Sequence, residues 1–223
     1  AENAPLFVAR RLFRVTKLHS SRLDWCIFSH SRGGYERSTG PGGTQMKNKG
    51  LEQQISDEIM MMVNSRKTLM LSTLDENNHP YASYAAFALG RDCLYILVSD
   101  IAVHGVNLRI HPQASVLIIE DEDSAIELFA RLRVTYQVEA EWIQVDSDAW
   151  HVGIALLTER HGQRITNLSQ LSDFRLFKLK PRGGRYVKGF GKAYQIDSGT
   201  LAGENLQHLR EGHKKREVVI KSE

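Results

Sequence analysis

Between residues 51 and 65 the apolar positions Leu51, Ile55, Ile59, Met62 and Val63 recur at the spacing of one helical face, which predicts an amphipathic helix. Ser56 precedes two acidic residues, Asp57 and Glu58, a pattern suited to an early helical turn. Strand character follows over Thr68 to Thr73, turn chemistry over Asn77-Asn78-His79-Pro80, and an aromatic and small-residue strand over Tyr81 to Leu89. Gly90-Arg91-Asp92 predicts a second turn and Cys93 to Ser99 a short buried strand, so the first three strands read as a meander. His104 to Ile110 fits one or two helical turns halted by Pro112, and Ala114 to Ile119 is an apolar strand that ends in the acidic group Glu120 to Asp123. Arg133 to Trp142 alternates, with Val134, Tyr136, Val138 and Ala140 on one face.

Asp146 to Arg160 predicts a second long helix, with Asp146 or Ser147 as its cap and Trp150, Ile154 and Leu157 on one stripe. Asp173 to Leu179 alternates again, Gly183-Gly184 reads as a hairpin turn, and Arg185 to Ile196 as the returning strand. Leu201 to Leu209 reads as a short final helix. Six or seven strands joined mostly by short turns predict a mainly β fold, an antiparallel barrel with peripheral helices.

The chain has 223 residues, enough to bury the core of one domain. No run approaches the roughly 18 consecutive apolar residues of a membrane span, so no membrane partner is expected. Of the 29 Lys/Arg and 26 Asp/Glu, seven and three fall in residues 1–45, which leaves residues 46–223 at a net charge of −1. The overall +3 therefore belongs to the head, and the body lacks the basic footprint of a nucleic-acid binder. Cys26 and Cys93 lie in separate segments and form neither a disulfide framework nor a metal cluster, which fits a reducing, cytoplasmic setting.

Residues 1–45 carry Arg10, Arg11, Arg14 and Arg22, then a Ser/Gly-rich run from Ser29 to Gly43 without apolar periodicity. They read as a non-native, leader or disordered head. Met46 reads as a native start, and residues 46–223 as the domain.

The motifs that are missing narrow the chemistry. The chain has no GxxxxGK[ST] loop, no GxGxxG after a strand, no GxSxG elbow and no HExxH helix. Seven of the nine histidines lie in the body and are its main chemical resource. His79 sits in a turn, His111 precedes a proline, and His151 and His161 belong to the polar side or end of a helix. His104 and His213 have small or loop-forming neighbours that allow a ligand to approach closely.

Several stretches carry a resemblance: Arg66-Lys67-Thr68-Leu69, Ser83-Tyr84-Ala85, Ser99-Asp100-Ile101-Ala102-Val103-His104-Gly105, Ile118-Ile119-Glu120-Asp121-Glu122 and Leu128-Phe129-Ala130-Arg131. Further along, Leu168-Ser169-Gln170-Leu171-Ser172-Asp173-Phe174, Val187-Lys188-Gly189-Phe190-Gly191-Lys192-Ala193-Tyr194 and Glu211-Gly212-His213 continue it in order. Together they resemble the HutZ/HugZ family of haem-utilisation proteins, from about Leu51 to His213. The family is similar in fold to pyridoxamine 5'-phosphate oxidase, which implies a dimeric split β-barrel of the FMN-binding type.

The resemblance implies haem b as substrate and cofactor, bound at the interface of a homodimer and opened with oxygen and reductant to release iron. It makes His213 the axial ligand of the haem iron and Asp173 the carboxylate that accepts the other ring N–H from across the interface. Such a pair fixes the imidazole tautomer and raises the ligand's basicity. Arg133 and His104 correspond to residues at or near the haem pocket, and a guanidinium suits a propionate. An electron-donor reductase and a haem chaperone are the partners implied.

Two other readings stay open. A flavoenzyme of the pyridoxamine-phosphate type would use Arg66, Lys67 and the Ser99 to Asn107 loop to hold the phosphate of FMN, and would leave the Glu-Gly-His tail without a role. A haem store or carrier would bind without turnover.

Overall fold

The structure, a computed structural model, describes residues 42–197, 199–202 and 206–209. Strand β1 (Thr68–Leu74) sends Leu69, Leu71 and Thr73 inward and Thr68, Met70 and Ser72 outward, as a period of two requires of a strand with one buried face. It pairs antiparallel with β2 (Pro80–Leu89), which pairs with β3 (Leu94–Ser99), giving the expected meander. On its other edge β1 meets β4 (Gln113–Ile119), which pairs with β5 (Arg133–Ile143), and β5 pairs with β6 (Phe174–Val187). Pairing of β6 back onto β3 closes a six-stranded antiparallel barrel. The fold is the expected split barrel.

Strand β6 serves two neighbours along one edge. Its residues 174–179 pair with β3, while residues 184–187 pair with β7 (Ala193–Ile196), which in turn carries β8 (Gln207–Leu209). Pro181 lies where the edge changes hands, a place where a missing N–H breaks no ladder bond. Its carbonyl receives the Gly199 N–H at 3.1 Å.

Gly183-Gly184 is therefore not the expected hairpin turn, because both residues lie inside β6. The register against β5 shifts between Gln137 and Val138, and Gly183 has φ of +142°. A β-carbon on Gly184 would stand 2.6 Å from the Thr135 carbonyl oxygen and 2.9 Å from the Tyr136 ring. These glycines accommodate a bulge and a close strand approach. The chain reverses instead between Val187 and Ala193, where Lys188 N–H donates to the Lys192 carbonyl at 3.0 Å.

Helix α1 (Gly42–Ser65) begins nine residues before the expected Leu51, so Asp57 and Glu58 fall in its middle rather than its first turn. Its Ile55, Ile59, Met62 and Val63 join the barrel core with Phe87, Ile96, Val116, Tyr136 and Leu179. The expected helix over Leu201 to Leu209 does not form at the described residues of that stretch, 201–202 and 206–209. Leu201 is buried in that core, its carbonyl accepts the Tyr136 hydroxyl, and residues 207–209 pair with β7. An anchored carbonyl and a sheet edge outcompete weak helical spacing.

Helix α3 (Asp148–His161) starts at Ser147, whose side chain accepts the Trp150 N–H at 3.2 Å. With α4 (Arg164–Ser169), which the sequence pattern missed, it packs Trp150, Leu157 and Ile165 on Cys93, Tyr95, Ile143 and Leu176 outside the barrel. Arg160 fastens its end by donating to Asn64 and Arg66 carbonyls and lying 5.1 Å over the Phe87 ring. His161 donates to the Phe87 carbonyl at 2.8 Å, a structural role. Cys93 is a buried free thiol whose pKa burial pushes up, and Cys26 lies outside the described residues.

Candidate functional site

The register of β3 on β6 sets Ser99 opposite Phe174, so Asp173, just before β6, meets the turn that leaves β3. Four contacts hold it. The Ser99 hydroxyl donates to Asp173 Oδ2 at 2.6 Å, and the Asp100 N–H donates to the Asp173 carbonyl at 2.7 Å. Arg175 Nη1 donates to the carbonyls on either side, Ser172 at 2.7 Å and Phe174 at 3.3 Å. The same guanidinium pairs through Nη2 with Asp100 at 2.9 Å, and Arg109 stands 3.6 Å from the other Asp100 oxygen. Asp173 Oδ1 has no hydrogen-bond partner among the described residues, and the residue is half-buried.

His104 shares this end of the barrel. It lies in the first turn of α2 (Val103–Ile110), which packs on the end of β3 because Gly105 lets the helix rest on the Ser99 carbonyl. Asn107 fixes α2 from the other side by donating to the Thr73 hydroxyl at 2.9 Å, a satisfied buried polar pair. Burial holds the His104 ring below its ordinary pKa, and the ring makes no hydrogen bond among the described residues. It is neutral at pH 7.

Arg133 lies at the opposite end. It opens β5, pairs with Ile119 and Val187, and donates from Nη1 to the Arg131 carbonyl at 3.0 Å. The exposed Leu128 and Phe129 precede it, and a cleft of about 270 Å³ lies between Ile126, Ala130 and Leu132 on one side and Lys188, Gly189 and Phe190 on the other. Leu209 reaches the same end, since it pairs with Ala193, which pairs with Val187. His213 lies outside the described residues.

Within one chain the structure thus places Asp173 and His104 at one end of the barrel and Arg133 at the other. The 14 residues of β6 separate the two ends, about 40 Å of strand. Of the two residues that hold Asp173, Arg175 was missed by pattern reading and Ser99 was considered only as part of the loop for an FMN phosphate. Only the β3–β6 register reveals them.

The phosphate grip considered for FMN is divided in the same way. Arg66 and Lys67 precede β1, whereas the Ser99 to Asn107 segment meets the far end of that strand at Thr73. Arg66 is paired with Asp121 at 3.0 Å, and Ser99, Asp100 and Asn107 are engaged internally. Within one subunit these groups do not fit a flavin phosphate. A separate cleft of about 630 Å³, lined by Gln53, Ser56, Met60, Arg91 and Leu201, contains none of the candidate site residues His104, Arg133 and Asp173. Among the described residues no three His, Cys, Asp or Glu side chains cluster as a metal site, and no helix is long and apolar enough to cross a membrane.

Residues 55–188 match the family model for pyridoxamine 5'-phosphate oxidase. The chain is 43% identical over 171 residues to the protein named heme oxygenase HutZ from Vibrio cholerae, covering 77% of this chain and 96% of that protein. It is 30% identical over 154 residues to a chloroplastic protein of Arabidopsis thaliana named non-canonical heme oxygenase HOZ, covering 68% of this chain and 45% of that one. Among solved structures, HutZ of Vibrio cholerae, described as a heme storage protein, superposes with a TM-score of 0.58 at 41% identity over 60% of this chain and 96% of its own. ChuZ of Campylobacter jejuni superposes with a TM-score of 0.64 at 28% identity over 75% and 66%. A closed six-stranded barrel, the family-model match and near-complete coverage of HutZ agree: the chain belongs to the HutZ/HugZ family of pyridoxamine 5'-phosphate oxidase-like split-barrel proteins.

Proposed function

We propose that this protein binds haem between two copies of itself and degrades it, with His213 of one copy and Asp173 of the other forming the ligand pair. The observation that carries this reading is the Asp173 carboxylate, fixed through one oxygen by Ser99 and open at the other, at the end of the barrel away from Leu209. The four residues from Leu209 to His213 span at most about 14 Å, whereas β6 runs about 40 Å between the two ends. In this reading a second copy therefore completes the pair.

A surface for that copy exists on the outer face of the barrel. Met70 sits opposite Tyr84 on β2 and Leu117 on β4, and both Met70 and Tyr84 are exposed. A two-fold axis crossing these strands sets the Arg133 end of one copy against the Asp173 end of the other. With haem bound, His213 would hold the iron through one ring nitrogen and Asp173 would accept the other ring N–H. Arg133 would pair with a propionate, and the exposed apolar Leu128 and Phe129 near it would offer apolar contact to the porphyrin. Haem, when bound, supplies the oxygen chemistry that opens the porphyrin, with electrons from a separate reductase and delivery by a haem chaperone. The names of the Vibrio and Arabidopsis relatives support turnover.

Storage is the second reading, favoured by the description of the solved Vibrio HutZ as a heme storage protein. An absorption titration with haemin, followed by ascorbate in air, separates the two. One haem per subunit with a Soret band that bleaches as iron is released supports degradation. A Soret band that persists supports storage, and a yellow, flavin-loaded protein that takes up no haem overturns both.

A further inference from the structure

The Ser99 hydroxyl has one orientation available to it. Its oxygen accepts the Ile101 backbone N–H at 3.0 Å, so its proton points to the remaining neighbour, Asp173 Oδ2, at 2.6 Å. That length is typical of a hydroxyl donating to an ionised carboxylate, a bond about twice as strong as a neutral one. The peptide around Asp173 is pinned independently, by Asp100 N–H on its own carbonyl and by Arg175 on the two adjoining carbonyls. Removing the hydroxyl therefore changes the carboxylate's electronic environment while the backbone that carries it stays in place.

We propose that Ser99 is a positioning residue that tempers Asp173: by donating to Oδ2 it draws charge from the carboxylate and limits how strongly Oδ1 pulls the N–H of the haem-ligating histidine. The role rests on the ligand pair proposed above. A carboxylate with fewer donors is a stronger acceptor, and a stronger acceptor gives the ligand more imidazolate character and a tighter bond to iron. Ser99 and Asp173 thus act on the ligand in opposite senses. Asp173 strengthens it, and Ser99 sets the ceiling.

Resonance Raman spectra of the ferrous haem-loaded protein read this directly through the iron–histidine stretching band. Asp173→Asn should shift the band down, Ser99→Ala should shift it up, and Ser99→Thr, which keeps the hydroxyl, should leave it at the wild-type position. A band in Ser99→Ala at or below the wild-type position, with Asp173→Asn shifted down, overturns the role of Ser99 and leaves the ligand pair standing. An unmoved band in Asp173→Asn removes the ligand pair, and the role of Ser99 with it. Exposed Ile101 leaves its freed N–H open to water in Ser99→Ala, so the variant retains its fold and its dimer for the measurement.

Discussion

Gly105 and Ser99 touch through their backbones: a β-carbon on Gly105 would stand 2.3 Å from the Ser99 carbonyl oxygen and 3.1 Å from its carbon. In a free helix Gly→Ala stabilises by about 1 kcal/mol. Here the added methyl meets backbone that cannot rotate away, and overpacking of this kind costs about 1–3 kcal/mol. Gly105→Ala should therefore lower the melting temperature by several degrees for a domain of this size. It should also push Ser99 off Asp173. A melting temperature at or above that of the wild type would show that α2 yields without strain.

The hydroxyl of Tyr136 closes a different seam. It is buried in the barrel and donates to the carbonyl of Leu201, itself buried, which fastens residues 199–202 to the core. Burial pushes the phenol pKa far above its ordinary value, so it stays protonated and a donor across the accessible pH range. Tyr136→Phe keeps the ring and strands one buried acceptor, a loss of about 1–3 kcal/mol. Urea unfolding should show a lower midpoint with an unchanged slope, and an unchanged midpoint would mean that water replaces the phenol.

These two contacts also explain what was legible in the sequence. Strands β1 and β5 were readable because one buried face forces a period of two, as Leu69, Leu71, Val134 and Tyr136 illustrate, and β3 and β4 because each is a short apolar run. Gly183-Gly184 was misread because the same dipeptide serves a turn or a close strand approach, and only the Thr135 carbonyl decides which. Leu201 to Leu209 was misread because the Tyr136 contact is long-range and leaves no local trace. Asp173, His104 and Arg133 could be singled out by resemblance, but nothing local says that the first two share an end and the third does not. Ser99 could have been found from a short polar residue closing a strand beside an acidic one, a weak signal without the register.

The face carrying Met70 and Tyr84 should be the dimer interface. An isologous contact places the same patch of both copies together, so one substitution introduces two charges across a small apolar area. Tyr84→Glu should shift sedimentation from dimer to monomer and reduce haem uptake in parallel, because the proposed ligand pair draws on both copies. A dimeric Tyr84→Glu would exclude this face, and a monomer that still binds haem at full stoichiometry would exclude the shared site.

The depressed pKa of His104 gives a stability test with a definite sign. The unfolded chain takes up this proton near pH 6.5, whereas burial lets the folded protein take it up only at lower pH. Between the two values the unfolded state holds more protons, so stability falls as pH falls below about 6.5 and is intact above it. His104→Gln removes this contribution. The drop in melting temperature from pH 7.5 to pH 5 should be smaller in His104→Gln than in the wild type, and equal drops would mean that the ring protonates without penalty. The same shift fixes what His104 offers a ligand at neutral pH. It presents an uncharged ring nitrogen at the Asp173 end of the barrel, so in the proposed shared site the charge that meets a propionate comes from Arg133 of a second copy.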